Sequence, residues 1–240
     1  MIDTRVLEQT SIQFKVAAAR RMLYREGCDS AIAGHVSVRD NDGATFWVSP
    51  FEYFDQTVPS GILRVGMDLK VFGADMHVSP AIEFHAAIYL ARPDVMSVVH
   101  THSHYASVLS SARRPAGVYN QDAAIFHDDQ ALYEEDGTGP LVEGRRICAA
   151  LGSRRVLLMK NHGVVIASQS LEEATVEAMM FETAARFDIE CRAIGGTECT
   201  PLQIVEAKRL YRELYMHNMW DANLARLRRS DPDLFDHFDE

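Results

Sequence analysis

Ile12, Val16, Ala19 and Leu23 recur at three- or four-residue intervals between Thr10 and Glu26, the period of one buried helix face. Gly27 follows, where a helix C-terminus favours a left-handed residue. Short β-like segments come next: His35–Arg39, Thr45–Ser49 stopped by Pro50, and Leu69–Phe72 stopped by Gly73. Ser79 reads as an N-cap with Pro80 at the first helical position, and Arg92-Pro93 closes that helix. Met96–His100 is an apolar run with the length of a buried strand, and a helix is expected near Tyr105–Ala112.

Pro115–Pro140 is polar and irregular, so no regular element is expected there. A helix over Leu141–Leu151 leads to the strongest strand signal, Arg155–Met159. Asn161-His162-Gly163 interrupts it and Val164–Ala167 resumes it. Ser170 with Glu173 three residues on is a capping-box pattern opening a long helix toward Arg192, and a final helix fills Pro201–Arg229. Helices around several short strands, without strict alternation, predict an α/β sandwich on a mixed or antiparallel sheet. No repeat or low-complexity linker divides the chain, so residues 1–240 read as a single domain with a helical extension from about residue 200.

Composition narrows the partners. The 24 Lys and Arg against 34 Asp and Glu leave a net charge of −10, which argues against nucleic acid or an anionic membrane surface. No apolar stretch approaches the ~20 residues of a bilayer span. Met1–Thr10 mixes Asp3, Arg5 and Glu8 with apolar residues and does not read as a signal-peptide core. Cys28, Cys148, Cys191 and Cys199 form no CxxC pair. A cytoplasmic protein is expected, and neither a GxGxxG turn nor a GxxxxGK[ST] loop offers a nucleotide cradle.

Histidines carry the chemistry. Alternate residues of an extended segment project to one face, so His100 and His102 reach a common point about 6–7 Å apart along the strand, suited to a transition metal. Two imidazoles do not complete a site. His162 interrupts an apolar strand beside Gly163, while His104 has the phase to join the pair, and spacing alone does not choose between them. His35 and His85 are further candidates. Glu83, one turn into the helix begun by Pro80, reads as a ligand, a base or a solvated residue. The amides of Ser79–Ile82 at that helix start offer an anion seat.

Three blocks resemble the class II aldolase/adducin family typified by fuculose-phosphate aldolase. They are Ala33-Gly34-His35-Val36-Ser37-Val38-Arg39; His85-Ala86-Ala87-Ile88-Tyr89 through Ala91-Arg92-Pro93-Asp94-Val95 to Val99-His100-Thr101-His102-Ser103; and Asn161-His162-Gly163. The resemblance spans about Ser11 to Arg192. It implies a three-layer αβα sandwich around a mixed, largely antiparallel sheet, and a homotetramer with active sites near subunit interfaces. It also implies one divalent metal per chain, Zn2+ first with Mn2+ or Fe2+ as alternatives, on His100, His102 and His162.

The departures bear on substrate. Aligned without gaps back from His102 to His85, the family's aldolase glutamate falls on Ala81, not Glu83. Gly34-His35 stands where sugar-phosphate members have Gly-Asn, and Ser49-Pro50-Phe51-Glu52 where they have Thr-Pro-x-Gly. A glutamate 4–6 Å from a phosphate dianion repels it by roughly 3–4 kcal/mol at an effective dielectric of 20. Phe51, Tyr53 and Phe54 add bulk, and Ile32 is apolar where a hydroxyl would help.

These changes resemble a non-phosphate branch that includes decarboxylases of hydroxylated aromatic or pyridine carboxylic acids. The expected function is therefore a metal-dependent carbon–carbon lyase acting on a small carboxylic acid through a metal-stabilised enolate or phenolate. Glu83, His35 or Tyr119 are its proton donors, and Ser79, Glu52, Phe51 and Gln121 its substrate-binding residues. Two alternatives stand beside it: a class II aldolase cleaving a non-phosphorylated 2-oxo-3-hydroxy acid, and a non-catalytic adducin-like module.

Overall fold

The computed structural model describes residues 11–73, 78–134 and 140–236; Met1–Thr10, where the leader question falls, lies outside them. Helix α1 (Ile12–Arg25) is opened by Ser11, whose Oγ accepts from Phe14 N at 3.1 Å, and Gly27 follows its end at φ +71°. The described strands are β1 (His35–Arg39), β2 (Thr45–Val48), β3 (Leu63–Gly66), β4 (Val71–Phe72), β5 (Ser97–Thr101), β6 (Gln130–Tyr133), β7 (Val156–Met159) and β8 (Gly163–Ser168). They form one sheet in the order β4-β3-β2-β1-β5-β8-β7-β6, in which β6 and β7 run parallel and the other neighbours antiparallel.

Helices cover both faces, which is why β5, β7 and β8 are buried at every position rather than at alternate ones. Val99, Val164 and Ile166 enter the core shared with α1, α3 (His104–Ser111) and α5 (Leu171–Ala193). Val98, Val165 and Ala167 enter the opposite core, against α2 (Glu83–Ala91) and α4 (Pro140–Leu151). The C-terminal α6 (Pro201–Leu210) and α7 (Met216–Ser230) join the first layer through Ile204, Ala207, Met216, Trp220 and Leu227. The architecture is the αβα sandwich expected from the sequence.

Several elements differ in detail. Leu63–Gly66 is a strand that its pattern does not announce, and Leu69 lies in the β3–β4 turn at φ +69°, so only Val71–Phe72 pairs. Gln130–Tyr133 is a short edge strand inside the stretch expected to be irregular; Ala131 and Tyr133 alone are buried, too little for a periodic signal. Pro80–Ile82 is a 3-10 turn, and the α-helix begins at Glu83. The final helix is broken by a π-helical turn, Tyr211–Tyr215, between α6 and α7. Thr200 and Gln203 form a complete capping box at the start of α6.

Candidate metal centre

The C-terminal end of β5 meets the β7–β8 turn. In that turn His162 N donates to Met159 O at 3.0 Å, and Asn161 takes φ +55°, a left-handed position its short polar side chain tolerates. The register Thr101↔Val164 then brings His162 beside the residues that follow β5. The backbones approach so closely that a Cβ at Gly163 would run into the Thr101 carbonyl oxygen and lie 3.0 Å from His102 Cδ2. Glycine is therefore required by space, not by conformation.

One ligand atom each from His100, His102 and His162 falls within 4.8 Å of the others, with ring centroids 4.5–5.0 Å apart. His100 Nδ1 is hydrogen-bonded to Val164 O at 2.9 Å, which turns Nε2 to the cluster and fixes its tautomer. That Nε2 lies 3.0 Å from His102 Nε2, close to the ~3.3 Å two imidazole nitrogens keep on one tetrahedral ion. Burial falls from His100 through half-buried His102 to exposed His162, so the cluster opens to solvent on one side. Desolvation first, then neighbouring histidines, hold His100 well below the usual imidazole range and push His102 down to about 4. Neutral imidazoles are the form a cation needs, so these residues could hold one. His104, by contrast, stands exposed on α3, edge-on to Tyr105.

Second-layer packing sets this geometry. Ser30 Oγ accepts from His102 N, and Glu182, 8% exposed on α5, accepts from Tyr105 N at 2.7 Å and Ala106 N at 2.9 Å at the start of α3. Strand pairing places His35 opposite His100, with ring centroids 5.4 Å apart. His35 is 3% exposed, and neither ring nitrogen has a hydrogen-bond partner. Phe84 touches His85, His100 and His35 at 4.5, 5.5 and 6.2 Å. Gly34 is close-packed here too, since a Cβ would lie 2.6 Å from Phe54 and 2.8 Å from the His100 carbonyl.

The Pro50–Phe54 turn is pinned by Arg20 of α1, whose guanidinium donates to the carbonyls of Pro50 and Glu52 and lies 4.0 Å over the Phe54 ring. An arginine in phase with Val16 and Leu23 on an apolar stripe is the signal that could have revealed it. Burial raises the Glu52 carboxyl above its ordinary value against the pull of Arg20, and Oε1 has no partner. Phe51 is 46% exposed beside it.

Other expected residues go elsewhere. Glu83 accepts from Gly144 N of α4 at 3.3 Å and lines a groove with Met67, Leu69, Ala87 and Leu90, so the fold does not bring it to the histidines. Ser79 is buried; its Oγ takes Ala81 N–H and its carbonyl takes Ile82 N–H, while Pro80 has none, so the amides of these three positions are already committed or lacking. Tyr119 lies against Arg192 (5.4 Å) and Glu198 at the far end of α5, and Gln121 is exposed.

The eight-stranded sandwich with a histidine cluster at a strand end is the architecture of a known class. A match to the family described as Class II Aldolase and Adducin N-terminal domain spans residues 14–189, and the chain belongs to that family. Decarboxylase NovR of Streptomyces niveus is 31% identical, with 98% of this chain and 90% of that protein covered. The "4-hydroxy-3-prenylphenylpyruvate oxygenase/4-hydroxy-3-prenylbenzoate synthase" of Streptomyces roseochromogenus subsp. oscitans is also 31% identical, over 85% of this chain and 76% of that one. Among solved structures, L-fuculose 1-phosphate aldolase from Glaciozyma antarctica PI12 shares the fold at TM-score 0.83 and 23% identity, covering 98% and 95% of the two chains.

Proposed function

We propose that this protein is a metal-dependent carbon–carbon lyase that removes CO2 from a hydroxylated aromatic or heteroaromatic carboxylic acid. Its lyase class follows from the family and from the decarboxylase and aldolase names of its relatives, and displaces the non-catalytic module. The observation that carries the decarboxylase reading is the cluster of three converging imidazoles, anchored at His100 and open at His162. A divalent ion held by His100, His102 and His162, zinc first and manganese or iron as alternatives, would supply Lewis acidity toward a chelated hydroxyl and carboxylate oxygen.

The remaining roles fall to the chain's own residues. His35, beside His100 with both nitrogens unpartnered and the ring neutral, is placed to relay a proton from solvent to the carbon that loses CO2, taking one at one ring nitrogen as it gives up the other. Loss of the carboxyl group needs no base at the outset, which suits Ala81 at the aldolase-glutamate position. Phe51 and Glu52, as substrate-binding residues, would disfavour a phosphate and favour a flat ring, and the hydroxyphenyl acid in a relative's name supports that choice. Tyr119 and Gln121 reach such a site only across an interface with a second copy, the arrangement that the family resemblance implies.

Elemental analysis with a CO2-release screen over hydroxybenzoates, hydroxyphthalates, hydroxypyridine dicarboxylates and hydroxyphenylpyruvates tests the reading. The expected result is about one ion per chain and CO2 release that stops on chelation and in H100A. Release of an aldehyde from a 2-oxo-3-hydroxy acid, with no CO2 from any acid tested, would replace it by the aldolase alternative.

A further inference from the structure

Behind His35 lies a polar chain that the lyase reading does not use. On β1, His35, Ser37 and Arg39 share one face by the two-residue period of a strand. On α2, His85 and Tyr89 stand one helical turn apart and face them. Ser37 Oγ lies 2.7 Å from His85 Nδ1 and 2.6 Å from Tyr89 Oη, so one hydroxyl joins both α2 residues to the strand. Ser97 Oγ donates to the Ser37 carbonyl at 2.7 Å, and the Arg39 guanidinium covers the Tyr89 ring at 5.1 Å. His85, Tyr89 and Ser37 are buried to within 1% of complete. The other ring nitrogen of His85, Nε2, has no partner, and the His85 ring stands edge-on to His35 at 5.4 Å.

A serine hydroxyl has one proton to give. If Tyr89 donates to Ser37 Oγ, the hydroxyl can donate to His85 Nδ1 and leave the ring proton on Nε2. If Nδ1–H donates, the hydroxyl can turn to Tyr89, so the chain fixes the His85 ring angle and couples its tautomer to the Tyr89 hydroxyl. The hydrogen bonds fix His85, and His85 meets His35 by edge-on ring packing, since neither ring nitrogen of His35 has a hydrogen-bond partner. We propose that Tyr89, Ser37 and His85 are a positioning chain for His35, holding its ring in the orientation that offers its nitrogens to a molecule bound at the histidine cluster. The proposal rests on the reading of that cluster as the reaction site. His85 touches no reacting atom in this scheme and acts only through His35.

The test begins with the metal-free protein, so that it does not depend on turnover. With 15N-labelled histidine near neutral pH, the His85 ring should show one neutral tautomer. S37A should shift the ring nitrogens of both His85 and His35, Y89F should shift them less, and His162 should stay in place. Both variants should still take up Zn2+ like the wild type, measured by elemental analysis. Where the wild type releases CO2, S37A should lower kcat by about 10–100-fold while KM stays within about twofold. A His35 ring unmoved in S37A, or in Y89F should S37A not fold, would overturn the proposal and leave His85 as core packing. Equal loss of kcat and of Zn2+ uptake would overturn it as well. A wild type silent on every acid would count against the lyase reading instead, and the spectra would still decide about the chain.

Discussion

Single atoms decide the character of the histidine cluster. His100 can present Nε2 because Val164 O occupies Nδ1. His162 can reach it because Gly163 lets the turn lie against Thr101. Replacing Gly163 with Ala forces a methyl group into a backbone carbonyl, and overpacking of that kind costs about 1–3 kcal/mol. G163A should therefore lower the melting temperature of the metal-free protein and reduce metal retention together, read by calorimetry and elemental analysis. His104 gives the contrast: it is exposed on α3, so H104A should leave both quantities unchanged.

At the level of elements, the site depends on how strands hand over to helices. β5 passes through His102 and Ser103 into α3, and the first amides of α3 end on the buried Glu182 carboxylate. The positive end of a helix and two N–H donors meet a charge brought from α5. E182A should cost about 2–4 kcal/mol in a urea titration, since charge-assisted bonds are lost and two amides are stranded. A loss near zero would mean that water replaces the carboxylate. The π-helical turn between α6 and α7 serves attachment: it carries Arg212, whose Nη1 lies 3.1 Å from Glu177, a fully buried carboxylate also held by Arg155 at 2.7 Å.

For the molecule as a whole, the buried imidazoles couple stability to acidity. Burial first, and neighbouring histidines second with Arg20 near His35, hold His35, His85 and His100 well below their ordinary value of 6.5. Below pH 6.5 the unfolded chain takes up protons that the native protein refuses, so stability falls as pH falls, until the depressed native values are reached. Each such group contributes about 1.4 kcal/mol per pH unit, roughly 4 kcal/mol per unit for the three together. The metal-free protein should therefore melt at steadily lower temperature between about pH 6.5 and 5. A melting temperature flat across that range would show that these rings are solvated in the native state.

Several helix ends were legible along the chain because caps act within one turn: Gly27 closes α1, and Ser170 accepts from Glu173 N at 3.1 Å. The buried strands β5, β7 and β8 were equally plain, and the His-x-His pair announced itself through the strand period. Which third histidine joins that pair was not a local question, since His104 is two residues from His102 and His162 sixty. Nor could spacing tell that Glu83 turns to Gly144, that Ser79 takes up the amides of Ala81 and Ile82, or that Arg20 is buried beneath the Pro50–Phe54 turn. Caps and periods are settled by neighbours along the backbone. Convergence is settled by strand register and close packing between distant segments, which exist only once the sheet has formed.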